Sequence, residues 1–187
     1  MFYQARKPLA IAAILLILMV LTRGSHVDTG SSLPDATLAC MLLGGIFLRR
    51  GAWFALMMMT AVAVDAYAIG VDGVSSYCLS PAYWALLPTY ATLWMGGRWL
   101  AKRANAFAPL AYAGVAFLTT TMAFLISTDS FYLFSGRYPQ ASLWEVMQHG
   151  WEYYPAYLGY TLMYLAVAWA AQHALMLIAG QYQARNA

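Results

Sequence analysis

The reactive groups of this sequence are few, and Cys78 is the most telling. It stands in the segment Asp72-Gly-Val-Ser-Ser-Tyr-Cys-Leu-Ser-Pro81, between two long apolar runs. Ser80 and Pro81 read as the N-cap and first residue of a helix, which puts Cys78 just outside that helix, beside its positive end. Such a position can lower a thiol pKa, by an effect that fades beyond the first turn. A thiolate there is a soft ligand for a transition metal. The plain structural alternatives are a small buried side chain or a disulfide with Cys40.

Asp65, in Ala61-Val-Ala-Val-Asp-Ala-Tyr67, is the only acid that falls inside an apolar run. It lies about 9 Å below the end of its helix at the standard rise. A carboxylate within a membrane span is costly and marks a functional site by default. Tyr83 enters the next helix at a similar depth, so its hydroxyl is the expected partner. Ligand binding and a structural bond pinning two helices both remain open for Asp65.

The histidines offer less. His26 and His149 fall in polar connections, and His173 lies low on the last apolar run. A di-haem electron carrier needs paired histidines within spans, and only His173 is so placed. The sequence has no Walker loop and no His-Glu-x-x-His, which argues against nucleotide hydrolysis and zincin-type chemistry.

The elements that must position these groups are membrane helices. Of 187 residues, 63% are hydrophobic and 9% charged, against roughly 25% charged in soluble domains. A spanning helix needs about 20 mostly apolar residues, and such runs recur at 8–22, 35–48, 52–71, 81–97, 107–127 and 153–179. Nothing alternates as a barrel strand does. The expectation is one all-α domain over residues 1–187, a six-transmembrane-helix bundle. The second run is short and draws on Asp35 and Arg49 as interfacial anchors; the last is long enough to tilt. Gly44-Gly45 and Gly96-Gly97 predict close helix packing.

Charge sets the orientation. Arg6, Lys7, Arg49, Arg50, Arg98, Lys102, Arg103 and Arg185 lie on one side, leaving only Arg23 and Arg137 for the other. Asp28, Asp35, Asp72, Asp129, Glu145 and Glu152 fall at the opposite loops or their edges. Both termini are therefore expected in the cytoplasm, and the net charge of +3 is a topology signal with no nucleic-acid role. The stretch Leu9–Leu21 after Arg6-Lys7 resembles a signal peptide. Thr22-Arg23-Gly24 is a poor cleavage site, so the segment reads as an uncleaved first helix. The inner turns are tight and the outer connections, 23–34, 72–80 and 128–152, are longer. Long loops are where binding residues concentrate. Tyr77, Tyr83, Trp84, Phe131, Tyr132, Phe134, Tyr138, Trp144, Trp151, Tyr153, Tyr154 and Tyr157 crowd that outer third. They read as an interfacial belt or as the wall of a pocket for a large, flat ligand.

Six short spans with ligand-sized outer loops resemble the substrate-binding S-components of energy-coupling-factor (ECF) vitamin transporters. Asp65, Cys78 within Ser-Tyr-Cys-Leu-Ser-Pro, and Tyr83 within Pro-Ala-Tyr-Trp resemble the BtuM family of cobalamin (vitamin B12) transporters, a motif of about 20 residues within a match that spans the whole topology. The resemblance implies a multi-pass protein of the bacterial cytoplasmic (inner) membrane that takes cobalamin, or a relative such as cobinamide, from the outer side. It implies Cys78 as an axial ligand to cobalt, with Asp65, Tyr77 and Tyr83 in the pocket. A thiolate that takes this position in cyanocobalamin would expel cyanide, a decyanation in which Cys78 acts catalytically. Many S-components carry an Ala-x-x-x-Ala stripe on helix one for docking to the energising module. Ala10, Ala12 and Ala13 do not give that spacing. Two rival classes remain: a membrane enzyme with Cys78 as nucleophile and His149 as base, and a structural membrane subunit.

Overall fold

The computed structural model describes residues 2–23, 33–71, 80–138 and 142–185. Among them all regular structure is helical: α1 (Phe2–Arg23), α2 (Thr37–Phe47), α3 (Gly51–Gly70), a 3₁₀ turn (Pro81–Ala85) running into α4 (Leu86–Leu100), α5 (Pro109–Phe134), α6 (Leu143–Trp151) and α7 (Tyr154–Arg185). The 3₁₀ turn matters for reach. At about 2 Å per residue it extends α4 toward the length of a bilayer crossing.

Three helices, Gly51–Gly70, Pro109–Phe134 and Tyr154–Ile178, are each long and apolar enough to cross a membrane. Their apolar surface turns outward: Met59, Leu110, Leu118, Val167, Leu175 and Leu177 are all exposed. In water such a surface would drive aggregation; in lipid it is solvated, and the chain is a membrane protein. The polar groups obey the same rule. Thr22, Thr60, Thr89, Thr92, Thr119, Thr121 and Thr161 each donate to the carbonyl four residues earlier. A hydroxyl without water nearby is satisfied by its own helix in this way.

α2 sits at the centre. Residues Ala36, Thr37 and Ala39 through Ile46 are buried, with α1, α3, α4 and α7 packed around them. Its 11 residues span only about 16 Å, roughly half a hydrocarbon core. Protein rather than lipid surrounds this helix. The tightest contact is with α4, where Gly45 and Gly97 meet Cα to Cα. A Cβ on Gly97 would collide with the Leu42 carbonyl oxygen, and one on Gly45 with that of Trp94. Gly44 leaves room for the Trp94 ring, and Gly96 for Thr119 of α5. Both glycine pairs therefore do what their sequence suggests.

Much of the connection expected over 128–152 is helical among the described residues. α5 continues to Phe134, and α6 follows from Leu143 to Trp151. Ser127, Thr128, Asp129 and Ser130 lower the hydropathy without breaking the helix, and all four are half-buried. Ser142 caps α6 in a reciprocal box: its side chain accepts the Glu145 backbone N–H while Glu145 accepts the Ser142 N–H. Ser-x-x-Glu is the sequence signature of that cap.

Candidate functional site

Asp65 lies on α3, five residues before its last residue, and is not alone. Arg23, in the last turn of α1, grips its carboxylate from both sides. Nε donates to Oδ1 at 2.7 Å and Nη2 to Oδ2 at 2.7 Å. This fork-to-fork geometry is the strong form of an Arg–carboxylate bond. Tyr83, in the 3₁₀ turn, donates its hydroxyl to Asp65 Oδ2 at 2.8 Å, the partnership that the sequence suggests.

The other arm of the guanidinium reaches α2 and α4. Nη1 donates to the Tyr90 hydroxyl at 2.7 Å, and lies 3.3 Å from Asp35 Oδ2 and 3.4 Å from Thr37 Oγ1. Asp35 in turn holds the start of α2, accepting the Thr37 backbone N–H at 2.8 Å and the Thr37 hydroxyl. A first-turn N–H has no partner within its own helix, so this bond also completes α2. Thr22 ties the same segment, accepting the Ala36 N–H at 3.1 Å. Beyond the anchoring expected from sequence, Asp35 is paired with Arg23.

One guanidinium thus joins α1, α2, α3 and α4 at one end of the bundle. The Arg23 side chain is 9% exposed, against 17% for Asp65 and 35% for Asp35. Location at the C-terminal end of α1 favours the cation through the helix dipole. Two carboxylates face one guanidinium, so the cluster carries a negative excess. Removing any one partner would strand buried charge.

Tyr164 of α7 adds a further clasp. Its hydroxyl donates to the Pro34 carbonyl at 2.7 Å and holds the segment before α2 against the long last helix. Tyr164→Phe is expected to destabilise the protein by about 1 kcal/mol, one ordinary hydrogen bond, read as a small shift in a detergent-unfolding titration. Beside it, Phe124 of α5 meets Trp151, Tyr154 and Tyr157 at centroid distances of 5.0–6.0 Å, and the Tyr154 hydroxyl bonds Thr121 at 2.7 Å. These aromatics form a packed cluster joining α5, α6 and α7. Trp84, Trp144 and Tyr153, by contrast, are exposed, as belt residues are.

The remaining candidates divide. Tyr77, Cys78 and His26 lie outside the described residues, as does any pairing of Cys78 with Cys40. Cys40 itself is fully buried in the core on α2. Ser80 does precede the helix, with Pro81 as its first residue, but its side chain makes no capping bond. The 3₁₀ start changes the geometry of the first turn, and Ser80 Oγ is buried without a partner among the described residues. His149 falls on α6. His173 bonds the Trp169 carbonyl at 2.8 Å and lies against the Trp169 ring at 4.0 Å, a structural role. Among the described residues no three His, Cys, Asp or Glu side chains converge as a metal site.

Sequence reasoning missed Arg23, Asp35, Thr37 and Tyr90 as a unit. The signal was present in Arg23, a basic residue ending an apolar run on the side that eight of the ten basic residues are expected to avoid. No family model matches the chain, and no curated protein matches it.

Proposed function

We propose that this protein is a membrane transporter, similar to an S-component, that captures cobalamin or a related corrinoid at the outer face of a bacterial inner membrane. In this reading six helices cross the bilayer, with α2 carried by its neighbours and both termini in the cytoplasm. The end that holds Arg23, Asp35, Asp65 and Tyr83 faces outward. The Arg49-Arg50 and Lys102-Arg103 turns face the cytoplasm, as the charge rule requires.

The observation that carries this reading is the 2.8 Å bond between Asp65 and Tyr83. It joins the two ends of the α3–α4 connection, and that connection contains Tyr77 and Cys78. The motif residues that resemble the BtuM family thus include a bonded pair at the mouth of an apolar bundle. A negative excess beside them suits a ligand whose metal centre is cationic. Cys78 is the axial ligand to cobalt, and Asp65, Tyr77 and Tyr83 order the pocket.

Capture of cyanocobalamin involves ligand exchange. The Cys78 sulfur forms a Co–S bond as the Co–C bond to cyanide breaks. Cyanide leaves with that bond's electron pair and takes up the thiol proton, and cobalt stays Co(III). No reductant is consumed. The protein supplies position and a sulfur electron pair; the cofactor metal supplies the chemistry.

The test is spectroscopic. Wild-type protein mixed with cyanocobalamin is expected to change the corrin absorption spectrum and release cyanide, and Cys78→Ala is expected to do neither. Amide and stacking contacts still allow the variant weaker binding. An identical spectral change with Cys78→Ala, or no binding by wild type, overturns the reading. Cobalamin uptake by cells lacking their own importer, with wild type beside Cys78→Ala, then separates transport from mere binding.

A further inference from the structure

Asp65 is surrounded in a way that limits what it can offer a ligand. An ionised carboxylate has about four acceptor positions on its two oxygens. The described residues occupy three: one on Oδ1 by Arg23 Nε, and two on Oδ2 by Arg23 Nη2 and the Tyr83 hydroxyl. The Arg23 fork donates to both of its oxygens. The hydrogen in the Asp65–Tyr83 bond is therefore the phenol's own. Tyr83 has no second hydrogen, so toward anything else it presents only lone pairs.

We propose that Arg23 is a positioning residue that commits Asp65 to the protein and so makes Tyr83 a hydrogen-bond acceptor toward the ligand, selecting a primary amide over a carboxylate at that point. The proposal rests on the corrinoid reading for its ligand, because the corrin rim carries acetamide and propionamide arms that are donors through their N–H2 groups. Hydrolysis of an arm to the acid replaces that donor by an anion. An acceptor oxygen backed by a negatively charged cluster disfavours such an anion twice, by a lost bond and by repulsion. Arg23 touches no ligand in this account. It acts by keeping a positive charge against Asp65 and so holding that carboxylate as the acceptor of the Tyr83 hydroxyl.

The chemistry makes the variants distinguishable. Arg23→Lys keeps a positive charge beside Asp65, so Asp65 stays held and Tyr83 stays an acceptor. Arg23→Gln removes the charge that holds Asp65, and the Tyr83 hydroxyl is then no longer fixed as its donor and is free to rotate. Tyr83→Phe removes the acceptor altogether.

The experiment measures binding of cobalamin and of its separate monocarboxylic derivatives to four proteins: wild type, Arg23→Lys, Arg23→Gln and Tyr83→Phe. Wild type is expected to bind one derivative at least about tenfold more weakly than cobalamin, the worth of one good hydrogen bond. Arg23→Lys should keep that preference, and Tyr83→Phe and Arg23→Gln should lose it at the same arm only. A discrimination pattern that Tyr83→Phe leaves intact overturns the proposal. A second measurement needs no ligand: the infrared difference between wild type and Asp65→Asn reports whether Asp65 is ionised, and the same difference taken in the Arg23→Gln background reports its protonation. A protonated Asp65 in wild type overturns the proposal whatever the ligand. Should wild type bind no corrinoid, the corrinoid reading fails and the proposed amide selection falls with it, while the infrared result still decides the state of Asp65.

Discussion

Arg23→Ala is expected to destabilise the protein by about 3–5 kcal/mol, the usual cost of removing one partner from a buried ion pair. The magnitude follows from what remains behind. Among the described residues Asp65 would keep only the Tyr83 bond, Asp35 would lose its cation, and the Tyr90 hydroxyl would lose the charged donor 2.7 Å away. The four helices joined at this point would lose their common clasp together. Arg23→Ala with Asp65→Ala should cost less than the sum of the two single changes, since the second removes the charge stranded by the first. An unfolding titration in detergent micelles checks both. A loss below about 1 kcal/mol for Arg23→Ala would place the pair among weak surface contacts and remove the clasp from this account.

Gly97→Ala is the second large effect. One methyl on Gly97 runs into the Leu42 carbonyl oxygen and the backbone at Gly45 and Ile46. Backbone cannot rotate aside as a side chain can, so α4 must lift off α2. Overpacking of this kind costs about 1–3 kcal/mol and at times more, and here it falls on the most extensive helix contact of the molecule. The same substitution at Gly114 of α5, where a Cβ meets nothing within 4 Å, should be neutral or stabilise by about 0.5–1 kcal/mol through helix propensity. Monodispersity by size exclusion, followed by unfolding, compares the two. Equal behaviour of Gly97→Ala and Gly114→Ala would refute the close crossing.

The contrast between Asp65 and Arg23 shows what could be seen in the residues beforehand. Asp65 stands out because a lone acid inside an apolar run is expensive, and its depth matches Tyr83 across a single hairpin. Arg23 is also charged, but a rule that counts basic residues on each side of a membrane does not ask which way a side chain turns. Its partners lie 12, 42 and 67 residues away, beyond any local pattern. Asp35 was hidden for the same reason. The glycine pairs were legible because two small residues per helix have few other uses in a membrane. α6 escaped because nine residues are too few to stand out as a span, although Ser142 and Glu145 mark its start. The corrinoid ligand depends on Cys78 and on resemblance, and the clasp beside it depends on geometry.

The burial of α2 has a consequence for how the chain is made. α2 ends at Phe47, whereas α4, its principal neighbour, is complete only at Leu100, and α7 begins at Tyr154. A newly synthesised α2 is too short to hold a place in hydrocarbon by itself, and from α1 its polar start around Asp35 and Thr37 is met by Arg23 and Thr22. The insertion machinery must therefore shelter this segment, or leave it at the interface, until later helices emerge to enclose it. Assembly of the bundle is thus a post-insertion event, completed when Gly97 reaches Gly45 and the late helix α7 closes over Pro34.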